Sequence, residues 1–112
     1  MLKSFQHAAR GMAFFLKTQV HAQIHLGATV AVFLLAAWLR LSPTDWCWLI
    51  VAATLVWTAE ALNTAVELLG DVASGGAHHP LVGKAKDVAA AGVLLAAMGA
   101  ALIGVIILLP RF

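Results

Sequence analysis

Charge is the scarcest feature of this sequence. Only 11% of its 112 residues are Asp, Glu, Lys or Arg, whereas 62% are hydrophobic. Soluble domains are about 45–50% apolar, and a soluble chain of this length could not hide so much apolar surface. The composition therefore excludes a soluble globular domain, and the length allows one domain at most.

The low cysteine content and the small net charge further narrow the class of protein. The single cysteine, Cys47, lies between two tryptophans, so it allows no internal disulfide and is interpreted as a packing residue. The net charge is only +2 and the basic residues form no tract, so we expect no nucleic-acid partner.

Long segments without Asp, Glu, Lys or Arg predict three membrane-spanning helices. Segments 18–39 and 88–110 contain 22 and 23 residues, and a spanning helix needs about 20. The run 46–59 has 14 residues and is too short, so the second span is predicted to continue through acidic residues, over 46–71. Residues 40–45 include Pro43 and predict a short turn.

The remaining segments are predicted to lie outside the hydrocarbon. In segment 1–17 the basic and most polar side chains share one side of a helical wheel, which indicates an amphipathic helix in the membrane interface. This helix could be a plain anchor or could take part in substrate handling. Segment 72–87 is predicted to be a loop on the same side of the membrane.

The distribution of Lys and Arg predicts the orientation. With a cytoplasmic N-terminus, that side carries Lys3, Arg10, Lys17, Lys84 and Lys86, and the other side carries Arg40 and Arg111. We therefore expect a multi-pass membrane protein with its N-terminus and its loop 72–87 in the cytoplasm.

The stretch EALNTAVELLGD, from Glu60 to Asp71, contains three of the five acidic residues. On a helix its polar side chains share an arc of about 100°. Facing lipid at the bilayer centre, three acids would cost roughly 8–10 kcal/mol, so the arc must face protein, metal or water. A rise of 1.5 Å per residue puts Glu60 about 21 Å and Asp71 about 37 Å from Trp46. In a hydrocarbon core of about 30 Å, the acids then extend from headgroup depth into the cytoplasm.

This stretch, followed by HHPLVGKAKDVAAAGVLLAA, resembles the sequence pattern of the prokaryotic diacylglycerol kinase family, which includes the undecaprenol kinases. The resemblance covers nearly the whole chain. It implies an all-α homotrimer, with three spanning helices and one interfacial helix in each chain. It also implies transfer of the ATP γ-phosphoryl group to a lipid hydroxyl with Mg²⁺. The family has neither a Walker A motif nor a kinase glycine-rich loop, and this sequence contains neither.

The resemblance also implies roles for individual residues. Glu60 would be the general base for the lipid hydroxyl, and Asn63 would orient it. The residues that would bind ATP are Arg10, Glu67, His79, Lys86 and Asp87. Glu67 would in addition hold Mg²⁺, and Arg10 and Glu60 would contact the lipid substrate.

One position departs from the family pattern. Many members have a glutamate of the metal site just before the first span, whereas this chain has Gln19, which offers a neutral carbonyl oxygen. Gln19 is therefore a doubtful metal ligand. His21 and His25, four residues apart, are interpreted as interfacial or interhelical polar contacts rather than as a zinc site.

Two other functions remain open at this point. An intramembrane carboxylate is also what a small proton-coupled transporter uses, although here the acids lie near one membrane face. A catalytically inactive structural trimer is the other alternative, and Gln19 is its only indication. The sequence does not distinguish diacylglycerol from undecaprenol as the substrate.

Overall fold

The computed structural model describes all 112 residues and contains only helices. The elements are α1 (Leu2–Thr18), α2 (Val20–Trp38), α3 (Pro43–Ser74), α4 (Pro80–Leu108) and a 3-10 turn (Leu109–Arg111). Helices α2, α3 and α4 are each long and apolar enough to cross a membrane. The predicted fold class, an N-terminal helix followed by three candidate spans, is confirmed.

A single chain buries little of its own surface. Only 10 of its 112 residues are buried, and large aliphatic side chains remain exposed along all three long helices. Exposed apolar surface of this extent indicates contact with lipid or with another protein chain. The fold is therefore that of a membrane protein rather than of a domain folded around its own core.

Helices α1 and α2 are separated at Gln19, whose backbone is extended (φ −106°, ψ 116°). The Gln19 N–H still donates to the Phe15 carbonyl at 3.0 Å and closes the last turn of α1. The Gln23 side chain reaches back across the break and donates to the Leu16 carbonyl at 3.2 Å. Two of the last four carbonyls of α1, those of Phe15 and Leu16, therefore keep partners where the helix ends.

The turn between α2 and α3 has the capping chemistry that its sequence indicates. Ser42 is the N-cap of α3, and its Oγ accepts from the Asp45 N–H at 3.2 Å. Pro43 follows at the first helical position, where its missing N–H costs nothing. Arg40 takes up a left-handed backbone (φ 55°), which reverses the chain.

The three spans share a buried apolar group at this end of the molecule. It consists of Ala36, Leu41, Leu49 and Ile107 and is here called the outer cluster, because it lies at the end of the spans away from residues 60–71. Phe33 and Trp46 pack edge to face beside it, with ring centroids 5.5 Å apart. This end therefore holds the apolar core that the chain can build alone.

The connection between α3 and α4 is much shorter than the expected loop 72–87. Helix α3 continues to Ser74, and α4 begins at Pro80, so only residues 75–79 connect them. Gly75 ends α3 in a left-handed conformation (φ 60°), which glycine adopts without strain. The difference arises because the apolar run marks where a helix leaves the membrane, not where the helix ends.

Candidate functional site

The polar face of α3 is defined here as Glu60, Asn63, Thr64, Glu67 and Asp71. The helix is continuous through these positions, so their spacing keeps them on one side. Glu60 and Thr64 are each only 8% exposed, whereas Glu67 and Asp71 are exposed. The face therefore runs from a buried carboxylate to acids open to solvent at the helix end.

Glu60 is paired with a histidine from another helix. The Nε2 atom of His25, in α2, lies 3.0 Å from Glu60 Oε1. A buried carboxylate without a partner would carry a large desolvation cost, and this contact reduces that cost. The interpretation of His25 as an interhelical polar contact agrees with this position, although no sequence pattern connects it with Glu60.

Trp57 of α3, one turn before Glu60, contacts both α1 and α2. Its indole Nε1 donates to Thr29 Oγ1 of α2 at 2.9 Å. Its ring meets Phe15 of α1 edge to face, with centroids 6.1 Å apart. Beside it a cleft of about 260 Å³ between α2 and the α3–α4 pair extends from His25 to Leu108. Glu60 thus lies where α2 is fixed to α3 and next to an apolar cleft.

Asn63 has an unsatisfied acceptor. Its Oδ1 is buried and has no hydrogen-bond partner, a state that costs about 1–3 kcal/mol. Asn63 also lines a groove of about 650 Å³ between α3 and α4, with Lys84 among the other lining residues. An unpaired buried acceptor beside a groove suits a donor that arrives with a ligand or with a second chain.

Lys86 of α4 is held against the end of α3. Its Nζ lies 2.6 Å from Asp71 Oδ1. Gly70 makes this approach possible, because a Cβ there would lie 3.0 Å from Lys86 Cε and 2.9 Å from Val82 Cγ1. The predicted phosphate-binding lysine is therefore brought to the polar face of α3.

The other predicted site residues are not gathered around this pair. Arg10 lies on the exposed side of α1, and Glu67 and Asp87 are exposed and form no ion pair within the chain. Gln19 is at the break between α1 and α2, where its Nε2 donates to Thr18 Oγ1 at 3.2 Å.

His79 has a structural role in the isolated chain. It is the N-cap of α4, and its Nδ1 accepts from the Leu81 N–H at 3.2 Å. It stands at the end of the 75–79 connection, near the start of the helix that carries Lys86.

No complete metal centre is formed by one chain from its side chains alone. No group of three or more His, Cys, Asp or Glu side chains converges on a common point. Mg²⁺ commonly takes only one or two protein carboxylates, with waters and substrate phosphates as its other ligands. Exposed Glu67, an oxygen donor on the polar face of α3, fits that pattern in its chemistry.

These features define a helical membrane protein with a polar site at one end of its spanning helices. A family model described as prokaryotic diacylglycerol kinase matches residues 6–108, and the chain belongs to that family. The family resemblance drawn from the motifs is thus confirmed. The match favours a kinase over the proton-coupled transporter considered above.

Named relatives are kinases of two lipid alcohols. A diacylglycerol kinase of Synechocystis is 39% identical over 110 residues, which is 98% of this chain and 63% of that protein. An undecaprenol kinase of Bacillus subtilis is 36% identical over 109 residues, 97% of this chain and 88% of the relative. A diacylglycerol kinase of Escherichia coli is 34% identical over 85 residues, which is 76% of this chain and 69% of that protein. The chain therefore spans a little under two thirds of the cyanobacterial protein and most of the Bacillus one.

Proposed function

We propose that this protein is a lipid kinase that transfers the γ-phosphoryl group of ATP to the hydroxyl of diacylglycerol or undecaprenol. Family membership supports the class of reaction. The observation that carries the proposal is the buried Glu60 carboxylate within a spanning helix, on the same helix face as the acid that meets Lys86. A membrane alcohol and a water-borne phosphate donor would meet along such a face.

In this proposal Glu60 acts at the lipid hydroxyl. Its carboxylate accepts the hydroxyl proton while the lipid oxygen forms a bond to the γ-phosphorus of ATP. The bond from that phosphorus to the bridging oxygen breaks, and ADP leaves with the electron pair. Asn63, one turn along the helix, orients the hydroxyl or the base through its amide group.

The ATP phosphates would bind at the cytoplasmic ends of α3 and α4. Lys86 supplies a positive charge there, and positioning with charge stabilisation is what phosphoryl transfer chiefly requires. Asp87, His79 and Arg10 would complete the nucleotide contacts, and Arg10 would also meet the lipid headgroup. The exposure of Arg10 and Asp87 leaves them free to make such contacts.

Glu67 is the residue proposed to hold Mg²⁺, with Gln19 as a weaker candidate. Both offer oxygen ligands, which this hard cation prefers. Bound Mg²⁺ would neutralise part of the charge of the transferring phosphates. Gln19 lies between α1 and α2 and contributes at most a neutral oxygen, so the carboxylate of Glu67 would dominate.

The proposal includes a homotrimer in the bacterial inner membrane, with the N-terminus and the site on the cytoplasmic side. The exposed apolar faces of the helices and the unpaired Asn63 Oδ1 are compatible with sites shared between chains. Mass measurement of the protein in detergent would test the trimer. Cysteine labelling at Lys3 and Arg111 would test the orientation.

The direct test is phosphorylation by the purified protein in mixed micelles. Labelled ATP, a Mg²⁺ titration and both lipids side by side would identify the substrate. Glu60→Gln keeps the size of the side chain but removes the base, so we expect kcat to fall by about 100- to 10,000-fold. Asp45→Asn, the same kind of change at the opposite end of α3, is the matched control and should remain active.

These assays test the kinase activity and the assignment of Glu60 as the base separately. Absence of phosphorylation of both lipids by the intact protein would refute the function. Near-normal turnover by Glu60→Gln, with the oligomer intact, would refute the assignment of the base while leaving the kinase activity standing.

A further inference from the structure

We infer that His25 is a positioning residue for Glu60: its Nε2–H holds Oε1 so that the other carboxylate oxygen is directed to the acceptor hydroxyl. The inference deepens the proposed function and rests on Glu60 being the base. It is based on the 3.0 Å contact between two side chains separated by 35 residues in sequence. Their side chains are 29% and 11% exposed, so little solvent competes for this hydrogen bond.

The direction of the hydrogen bond follows from the chemistry of the partners. An ionised carboxylate only accepts, so the nitrogen that faces it must carry the hydrogen. His25 therefore presents Nε2–H to Oε1 and engages one of its two lone pairs. Oε2 keeps both of its lone pairs free, so it is the oxygen more available to take a proton from a substrate.

A carboxylate needs such a partner because its last torsion is weakly restrained. The terminal torsion of glutamate is broad and roughly two-fold, so an unpaired carboxylate would sample many orientations. Misplacement of a reacting group by about 1 Å can lower a rate by roughly 100-fold. One donor fixed on a neighbouring helix removes most of that freedom.

The surrounding packing is suited to holding the donor in place. One turn further along α2, Thr29 accepts from Trp57, which is one turn before Glu60 on α3. The same two helices are thus joined twice, by hydrogen bonds about one turn apart. Trp57 also packs on Phe15, which extends the restraint to α1.

A pair of amide substitutions tests the position of the donor rather than its mere polarity. In His25→Gln an amide nitrogen can reach nearly the place of Nε2, whereas in His25→Asn it lies close to the place of Nδ1 and falls short of Glu60. We expect His25→Asn to lower kcat by about 10- to 100-fold with an unchanged KM for ATP. We expect His25→Gln to recover kcat to within about threefold of the wild type.

The controls separate this inference from the function on which it rests. His21→Asn places the same substitution one turn earlier, at an exposed position, and should leave kcat unchanged. Glu60→Gln is assayed in parallel. If His25→Asn keeps wild-type kcat while Glu60→Gln is inactive, the positioning role is overturned and the base assignment survives. If Glu60→Gln remains active, the base assignment itself fails.

Two further results would decide between positioning and plain structural support. Equal loss of kcat in His25→Gln and His25→Asn, with the oligomer intact, would overturn the inference, because the place of the donor would then not matter. Nitrogen-15 spectra of the histidine ring give an independent readout. A protonated Nε2 whose resonance shifts in Glu60→Gln supports the contact, and an Nε2 without a proton contradicts it.

Discussion

The two ends of the spanning helices are built differently. At the outer end, apolar side chains from α2, α3 and α4 form the outer cluster, and the Asp45–Arg111 ion pair (3.1 Å) joins the start of α3 to the C-terminal 3-10 turn. At the opposite end the helices meet through isolated polar contacts, His25 with Glu60 and Lys86 with Asp71. The difference suggests that packing at one end supports a site at the other that remains free to bind and release ligands.

Polar groups without a partner are also found at the site end of α3. Asn63 Oδ1 has no partner, and Glu67 is exposed without an ion pair, both on the site side of α3. Native proteins rarely leave buried acceptors unpaired, and those that remain are often at functional sites. Substitutions confined to one end of the helices test whether the two ends are independent.

The largest effect is expected from Leu49→Ala in the outer cluster. Leu49 is 4% exposed, and truncating a buried leucine costs about 2–5 kcal/mol of unfolding free energy. Titration with a denaturing detergent would measure the loss. Kinase activity per folded molecule should stay near the wild-type value, and an activity loss as large as that of Glu60→Gln would show that the two ends are not separable.

Gly70→Ala should act on the opposite end. The added Cβ would displace Val82 and the stem of Lys86, so we expect the KM for ATP to rise by about tenfold, equivalent to about 1.4 kcal/mol. Gly83→Ala is the matched control, because no atom lies within 4 Å of its added Cβ. An unchanged KM in Gly70→Ala would contradict the role of Lys86 at the phosphates.

Gln19→Glu is expected to have a smaller effect on the same end. A carboxylate in place of the amide adds a charged oxygen ligand, so the Mg²⁺ concentration for half-maximal activity should fall by about threefold. A Mg²⁺ titration of the kinase reaction measures this directly. No change would remove position 19 from the metal ligands.

The smallest effect is expected for Arg111→Gln. The side chains of the Arg111–Asp45 pair are 41% and 26% exposed, and such pairs contribute about 0–1 kcal/mol. Detergent titration should therefore show a small loss of stability and no loss of kinase activity. A loss comparable to that of Leu49→Ala would mean that charge pairing, rather than packing, holds the outer end.

The helical architecture and the polar face of α3 could be predicted because both depend on local periodicity. Apolar runs of sufficient length indicate spans, and the spacing from Glu60 to Asp71 places five polar side chains on one side of a helix. What periodicity could not give is how deeply each of them is buried. Glu60 is buried and Glu67 exposed because of where α2 packs, which is a tertiary property.

Helix α4 begins before the apolar run that indicates its membrane span. Charge ends an apolar run and so predicts a loop over 72–87, yet helix α4 includes Lys84, Lys86 and Asp87. Pro80 after a capping histidine is a helix-start pattern, and it lies eight residues before the apolar segment 88–110. The cap, rather than the onset of the apolar run, therefore marks where α4 begins.

The His25–Glu60 contact could not be found from one sequence. Nothing in local spacing connects residues 35 positions apart, and the spacing of His25 from His21 does not indicate which helix either histidine faces. The same holds for Gly70, whose importance appears only when α4 is placed against α3. Both belong to the packing of helices rather than to the pattern along either helix.

The cap at the start of α4 limits what its histidine can offer to a ligand. Because His79 Nδ1 accepts the Leu81 N–H, the hydrogen of the neutral ring must be on Nε2. A nucleotide could therefore receive one hydrogen bond from this ring, as a donor, and none through the second nitrogen. Because the ring caps the helix that carries Lys86 through one nitrogen and can donate through the other, a nucleotide contact and the placement of the lysine would share a single imidazole.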